Sequence, residues 1–226
     1  MTRAPSDYAT LIFDCDGVVL DSNRVKTEAF RAAALPWGRD AAEALVAHHV
    51  ANGGVSRYAK FAHFVDRILP DHAAGAVPGR DGPDLPAMLT TYAEAARAGL
   101  MTCAVAEGLT ELRAATPDTR WMIVSGGDQD ELREVFAARG LAPYFDAGIF
   151  GSPDTKDEIL ARKLAAGTIE RLALFLGDSR LDHEAASGHG IDFLFISAWS
   201  EWEEGRHMAE TGLFEEKPSV RDLVNC

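Results

Sequence analysis

Cysteine is scarce in this sequence, and what there is does not pair: Cys15, Cys103 and Cys226 stand far apart. With no C-x-x-C and no histidine at zinc-finger spacing, neither a disulfide framework nor a structural zinc is expected, and all three read as free thiols. Long apolar runs are also missing; nothing approaches the roughly 20 residues that cross a bilayer. The opening "MTRAPSDYA" leads into a strand-like segment without the apolar stretch of a signal peptide, so the expected location is the cytoplasm, with no membrane partner. Positive charge is short as well: 22 Lys and Arg against 35 Asp and Glu give a net charge of -13, with no basic cluster. Such a surface repels a phosphate backbone, so nucleic acid is not an expected partner, whereas a small anion can bind where local cations or a metal offset the field. The G-x-x-x-x-G-K-[ST] loop and the G-x-S-x-G elbow are absent, which sets aside P-loop NTPases and serine hydrolases. "HEAAS" at 183–187 misses the zinc-protease motif because Ser187 stands where the second histidine belongs. His48 and His49, adjacent on an expected helix, point in different directions and read as helix-surface residues.

What the chain has is apolar content, 47% of residues, arranged in short bursts. Runs at 9–14, 120–125, 145–150, 172–178 and 191–196 are rich in Ile, Leu, Val and Phe, as strands buried on both faces are. Helical patterns separate the last four; in "DQDELREVFAARG", Leu132, Val135 and Phe136 share a face, aspartates cap the start and Gly140 ends it. Strand and helix in alternation predict an α/β fold with a doubly wound parallel sheet. Residues 24–100 break that rhythm and read as four helices, near 24–34, 40–51, 56–69 and 84–99, with the loop-like "VPGRDGPDLP" at 77–86 before the last. The expected organisation is therefore a discontinuous core of 1–22 and 101–226 with a helical insert at 23–100.

In open α/β sheets ligands sit outside the carboxyl ends of the strands, and here those ends carry the chemistry. The first strand ends in Asp14 with Asp16 following; the second ends in Ser125-Gly126-Gly127; Lys156 starts the helix after the third; Gly177-Asp178-Ser179 closes the fourth, with Asp182 beyond. Carboxylates meeting at one edge cannot all stay ionised without compensation. Oxygen-only ligation by carboxylates, a backbone carbonyl and water suits Mg2+, which in such sites usually also holds a phosphate. Lys156 and the Ser125 hydroxyl supply a cation and a donor for that phosphate, and the Gly126 N–H is open to close approach. Each piece alone has an ordinary reading: turn aspartates, a strand-end serine, a solvated lysine, a surface Asp182. A calcium loop does not fit, because Val18 and Val19 occupy the positions that need an oxygen ligand and a glycine. Trp199 and Trp202 read as an exposed patch.

Asp14-x-Asp16-Gly17-Val18 with Asp21-Ser22, a strand ending in Ser125, then Lys156, then Gly177-Asp178-Ser179 with Asp182, resembles the four ordered motifs of the haloacid dehalogenase-like (HAD) superfamily. The insert resembles the helical cap of the subgroup that includes phosphoglycolate phosphatase and β-phosphoglucomutase. The resemblance implies Asp14 as a nucleophile that becomes an aspartyl-phosphate. It implies Asp16 as acid and then base, and Asp14, the Asp16 carbonyl and Asp178 as Mg2+ ligands. Ser125 and Lys156 would hold the phosphoryl oxygens, with Asp182 supporting Lys156 or the metal. Family dehalogenases lack the second aspartate and phosphonate hydrolases replace it with alanine, so Asp16 points to phosphate esters. The implied function is a Mg2+-dependent phosphatase of a small phosphorylated metabolite, a sugar phosphate or a phosphorylated hydroxy acid; a phosphosugar mutase and a silent binding module are the alternatives. In "HHVANGGVSRYAKF", Arg57 is the expected substrate contact with Lys60 behind it, while Asn23 and Arg24 are expected at the mouth. A monomer or a homodimer is expected.

Overall fold

The computed structural model describes residues 3–224. Its frame is one six-stranded parallel sheet made of β1 (Thr10–Phe13), β2 (Arg120–Asp128), β3 (Ile149–Ser152), β4 (Ala173–Gly177), β5 (Asp192–Ile196) and β6 (Glu215–Lys217), in the order β3-β2-β1-β4-β5-β6. β1 lies at the centre, registered with β2 on one side and β4 on the other, so all four of its residues are buried and its sequence is apolar throughout. Strand order reverses direction around β1, and that is where a crevice opens at the carboxyl edge.

Between β1 and β2 the chain leaves the sheet for five helices: α1 (Asn23–Ala34), α2 (Arg39–Ala51), α3 (Arg57–His63), α4 (Leu69–His72) and α5 (Leu85–Leu100). A π-helical turn, Phe64–Ile68, joins α3 to α4. Ser56 and Asp84 cap α3 and α5 by accepting the N–H of Ala59 and Ala87, which fixes where each helix begins. This insert has a hydrophobic cluster of its own, with Phe30, Leu45, Phe61, Phe64, Met88 and Tyr92 buried together. Burying one such side chain contributes about 1.5–3 kcal/mol, so the insert has a source of cohesion apart from the sheet.

The chain returns through α6 (Leu109–Ala115) and then alternates: α7 (Gln129–Ala138), α8 (Lys156–Ala165), α9 (Arg180–Gly188) and α10 (Glu203–Glu210) follow β2, β3, β4 and β5. Alternate residues of each strand enter opposite cores. Phe13, Trp121, Ile123 and Leu176 join Leu132 and Phe136 of α7 on one face, while Ile12, Met122, Val124 and Phe175 join Ile159 of α8 and Ala186 of α9 on the other. Among the described residues no helix is long and apolar enough to cross a membrane.

Several boundaries differ from the sequence expectation. β2 continues to Asp128, because a register shift lets Asp128 pair with Ser152, so Ser125-Gly126-Gly127 lies inside the strand and not past its end. β3 starts at Ile149: a short helical turn at Ala142–Tyr144 carries the chain round, and Phe145 and Ala147 are buried as turn residues. The expected helix at 56–69 is α3, the π turn and α4 in succession. Trp199 and Trp202 are not an exposed patch; Trp199 packs on the core beneath the sheet, and Trp202 stacks among Phe195, His183 and Phe214. Nor are the paired histidines both on the surface: His49 is buried against Phe30, and only His48, stacked on His63, stays half-buried. Cys15 and Cys103 are free thiols, and Cys226 lies outside the described residues.

Candidate active site

β1 delivers Asp14 to the carboxyl edge, and the next turn needs a glycine: Gly17 has φ +72°, and a Cβ there would collide with the Asp178 carboxylate. Asp14 is buried, accepts the Cys15 N–H at 2.7 Å and lies 2.9 Å from the Lys156 ammonium. Lys156 stands at the start of α8, placed there by a Thr155–Glu158 capping box. It also pairs with Asp182, itself fixed at the start of α9 by bonds from the Ser179 N–H at 3.0 Å and hydroxyl at 2.6 Å. The fourth strand ends at Gly177 and presents Asp178 beside them. Asp14, Asp178 and Asp182 each offer a carboxylate oxygen, all within 4.8 Å of one another.

Three carboxylates face one lysine, and the imbalance shows in their proton affinities. Burial, with the Asp182 and Asp16 charges added, lifts Asp14 to about 7 in spite of Lys156. Burial and the charges of Asp14 and Asp182 hold Asp178 well above the usual carboxylate range, relieved only in part by a 2.7 Å bond from the Asn23 amide. The donor set is all oxygen and carries more negative charge than its lysine balances. A hard divalent cation fits that set: Asp14 shares its one cation, Lys156, with Asp182, and Asp178 has no cation of its own, whereas Asp182 is bound to both Lys156 and Ser179.

Asp16 points elsewhere. Its carboxylate accepts the Ser22 hydroxyl at 2.6 Å and pairs with Lys26 of α1. Burial favours the neutral acid, but Lys26 and Ser22 outweigh it and hold the group below its usual range. Lys26, buried in turn, is kept charged by Asp16.

Above these residues lies a cavity of about 440 Å³ between the sheet edge and the insert. Asp14, Asp16, Asp178 and Asn23 line its floor side; Lys26, His49, Arg57 and Lys60 come from the insert. Gly126 belongs to its wall too, backed against Gly54, and a Cβ on Gly126 would collide with the Gly54 carbonyl. Ser125 and Lys156 do not line this cavity. The buried Ser125 hydroxyl accepts the Gly127 N–H at 3.1 Å, and Lys156 lines a second cavity of about 390 Å³ on the other side of the Gly54–Gly126 contact. Arg57 is only 6% exposed, paired with Glu131 and lying over the Tyr92 ring at 4.6 Å, so its charge is already matched. Arg24 is exposed and lines neither cavity. Lys26, His49 and Glu201 are the cavity residues that motif reasoning passes over. Each sits in a segment without a motif and reaches the cavity only through the fold.

A family model for haloacid dehalogenase-like hydrolases matches residues 8–190. The chain belongs to this hydrolase family. No curated protein matches the sequence closely enough to count as a relative. Solved structures share the fold over nearly the whole chain. A predicted phosphatase from Clostridium acetobutylicum superposes with a TM-score of 0.70 at 17% identity, covering 96% of this chain and 97% of that one. CbbY from Rhodobacter sphaeroides, solved in complex with phosphate, gives 0.66 at 18%, covering 96% of each. The HAD-hydrolase YfnB from Bacillus subtilis, solved bound to magnesium, gives 0.66 at 18%, covering 96% and 97%. At such identities the likeness of this HAD-like hydrolase to them is one of fold.

Proposed function

We propose that this HAD-like hydrolase is a Mg2+-dependent phosphatase acting on small phosphomonoesters through a phosphoaspartate at Asp14, with residues 23–100 serving as a cap over the core. The observation that carries the reading is the buried Asp14 carboxylate, lifted to about 7 by burial, set between the Lys156 ammonium and Asp178 in the wall of a cavity sized for a small metabolite. Asp14, the Asp16 carbonyl and Asp178 would hold the ion. Bound Mg2+ would supply positive charge for the phosphoryl oxygens and return Asp14 to its ionised, nucleophilic form.

An Asp14 oxygen bonds to phosphorus as the ester P–O bond breaks, and the departing alkoxide takes a proton from Asp16. In the second half Asp16, now a carboxylate, takes a proton from water; the water oxygen bonds to phosphorus, the acyl-phosphate P–O bond breaks, and Asp14 is regenerated with phosphate released. The Lys26 and Ser22 contacts hold Asp16 in its ionised form, the one the second half needs. Donating in the first half requires that the carboxyl carry a proton away from Lys26. Lys156 keeps positive charge beside Asp14 throughout and limits the negative charge that accumulates at the transferring group. The insert roofs part of the cavity and leaves it open at the exposed Val50, Arg180 and Glu204, and a chamber of this size suits a small substrate.

The test is release of phosphate from a generic aryl phosphate with Mg2+, its loss with a chelator, and trapping of a phosphoryl adduct on the peptide carrying Asp14. Asp14→Asn should lower turnover by several orders of magnitude. Turnover near wild type in that variant, or no phosphate release from any of a panel of phosphorylated metabolites, overturns the reading.

A further inference from the structure

Two residues of the type that caps helices open α1, and both turn their side chains into the core instead. Ser22 stands at the N-cap but makes no cap bond; its hydroxyl goes to Asp16. Asn23, the first residue of α1, donates from Nδ2 to the Asp178 carboxylate at 2.7 Å and to the Trp199 carbonyl at 2.8 Å. A side-chain amide nitrogen carries two N–H groups, so both are taken, and reversing the amide would set its oxygen against two acceptor oxygens. Asn23 lines the cavity, yet its donors are spent on the protein and not left for a substrate. Asp178 is held at its other groups too. Its N–H donates to Asp182 at 3.3 Å, and its carbonyl accepts the Ser200 hydroxyl, which in turn accepts the Trp202 N–H at 3.0 Å. Gly17 packs against this arrangement: a Cβ there would meet Asn23 Nδ2 at 2.7 Å as well as the Asp178 carboxylate. The pair therefore lies beside the turn that carries the Asp16 carbonyl.

Among the described residues no cation pairs with the Asp178 carboxylate, so a neutral amide is what aims it. A lysine in that place would cancel the charge an ion needs; an amide orients the carboxylate and leaves the charge intact. Resting on the reading that Asp14, the Asp16 carbonyl and Asp178 hold Mg2+, we propose that Asn23 and Ser200 are positioning residues that aim Asp178 at the ion and favour Mg2+ over Ca2+. Mg2+ demands near-ideal octahedral geometry at roughly 2.0–2.1 Å, whereas Ca2+ accepts variable geometry at about 2.3–2.6 Å. A carboxylate free to swing therefore still serves Ca2+ but serves Mg2+ poorly. The insert thus contributes to the ion site through its first residue, and the loop between β5 and α10 contributes through Trp199 and Ser200.

Isothermal titration of the full chain, stripped of metal and in phosphate-free buffer, measures Kd for Mg2+ and for Ca2+. Asn23→Leu, close in size and without a donor, should raise Kd for Mg2+ about 10–100-fold, as loss of a group that orients a metal ligand does. Kd for Ca2+ should rise much less, so the preference for Mg2+ falls by at least about tenfold. Ser200→Ala, which frees the Asp178 carbonyl without touching its carboxylate, should move the ratio in the same direction, and it carries the test if Asn23→Leu does not fold. Equal losses for both ions would show a structural role only, and unchanged Kd values would show no role; either result overturns the inference. A wild type that binds no Mg2+ overturns it together with the metal-dependent reading. The titration needs no turnover, so the two readings fail separately. Aryl phosphate hydrolysis combined with wild-type Mg2+ affinity in Asn23→Leu defeats this inference alone; Mg2+ binding that depends on Asn23 without hydrolysis defeats the phosphatase reading alone.

Discussion

Removing the charge of Asp14 should make the metal-free protein more stable, by an amount that grows with pH. Its carboxyl group moves from 3.8 to about 7 on folding, through burial and the neighbouring Asp182 and Asp16. A displacement of about three pH units corresponds to about 4 kcal/mol. The native state holds its proton longer than the unfolded chain, so the penalty is absent below pH 4, grows as pH rises and is complete above 7. About 2–3 kcal/mol of it falls between pH 5 and pH 7. His49, pushed down to about 2 by burial and by Lys60, works in the opposite direction over part of that window, so the wild-type profile alone does not isolate Asp14. The difference between wild type and Asp14→Asn does. In chelator, the variant should gain about 2–3 kcal/mol relative to wild type between pH 5 and pH 7, or roughly 5–10 °C in Tm for a chain of this size. Saturating Mg2+ at pH 7 should then stabilise wild type by about 3 kcal/mol at a hundred times Kd, and the variant by much less. Chemical unfolding at the two pH values, with and without the ion, reads all four quantities. A wild-type-to-variant difference that does not change between pH 5 and pH 7 would refute the account of Asp14 as a carboxylate buried beyond its compensation.

Three further outcomes follow from neighbouring contacts. Asp182→Ala strips Lys156 of one partner and Ser179 of its acceptor in a fully buried position, and should lower stability by about 3–5 kcal/mol in urea unfolding; a loss under 1 kcal/mol would show the pair to be dispensable. Gly126→Ala places a methyl against the Gly54 carbonyl, so the insert must withdraw, and kcat/KM should fall about 10–100-fold; wild-type kinetics would mean that this contact does not position the cavity. Lys26→Met removes the counter-ion that outweighs burial at Asp16, so the acid limb of the pH–rate profile should move up by at least about one pH unit, and an unmoved limb would separate Asp16 from that limb.

Strands legible in the sequence are those with apolar side chains on both faces, such as β1 and β4, because burial on both sides leaves an unbroken signature. β6 was not legible: Glu215–Lys217 is three polar residues on the sheet edge, and its strand identity comes from backbone pairing with Leu194–Ile196 alone. The end of β2 was misplaced for a related reason, since Gly126 and Gly127 signal a turn locally while Asp128 pairs with Ser152 across the sheet. In the site, Asp14, Asp178 and Lys156 stood out because each sits at the end of a strand or the start of a helix, where the fold's geometry is shared by all such sheets. Lys26 and His49 did not, because a lysine or histidine on an amphipathic helix has no sequence mark that says which carboxylate or amine it will meet. Arg57 looked like the free cation of the insert, and only Glu131, 74 residues away, shows that its charge is taken.

β1 pairs with strands from late in the chain: Thr10 registers with Arg120 and with Ala173. As a ribosome extends this polypeptide, the segment bearing Asp14 waits for a neighbour until roughly 110 more residues have been made. The helices made in the interval contact one another and share a cluster, so they have partners as they emerge. The expected order of assembly is helices first and sheet last, with the central strand exposed longest and in most need of a chaperone until Arg120 and its successors arrive.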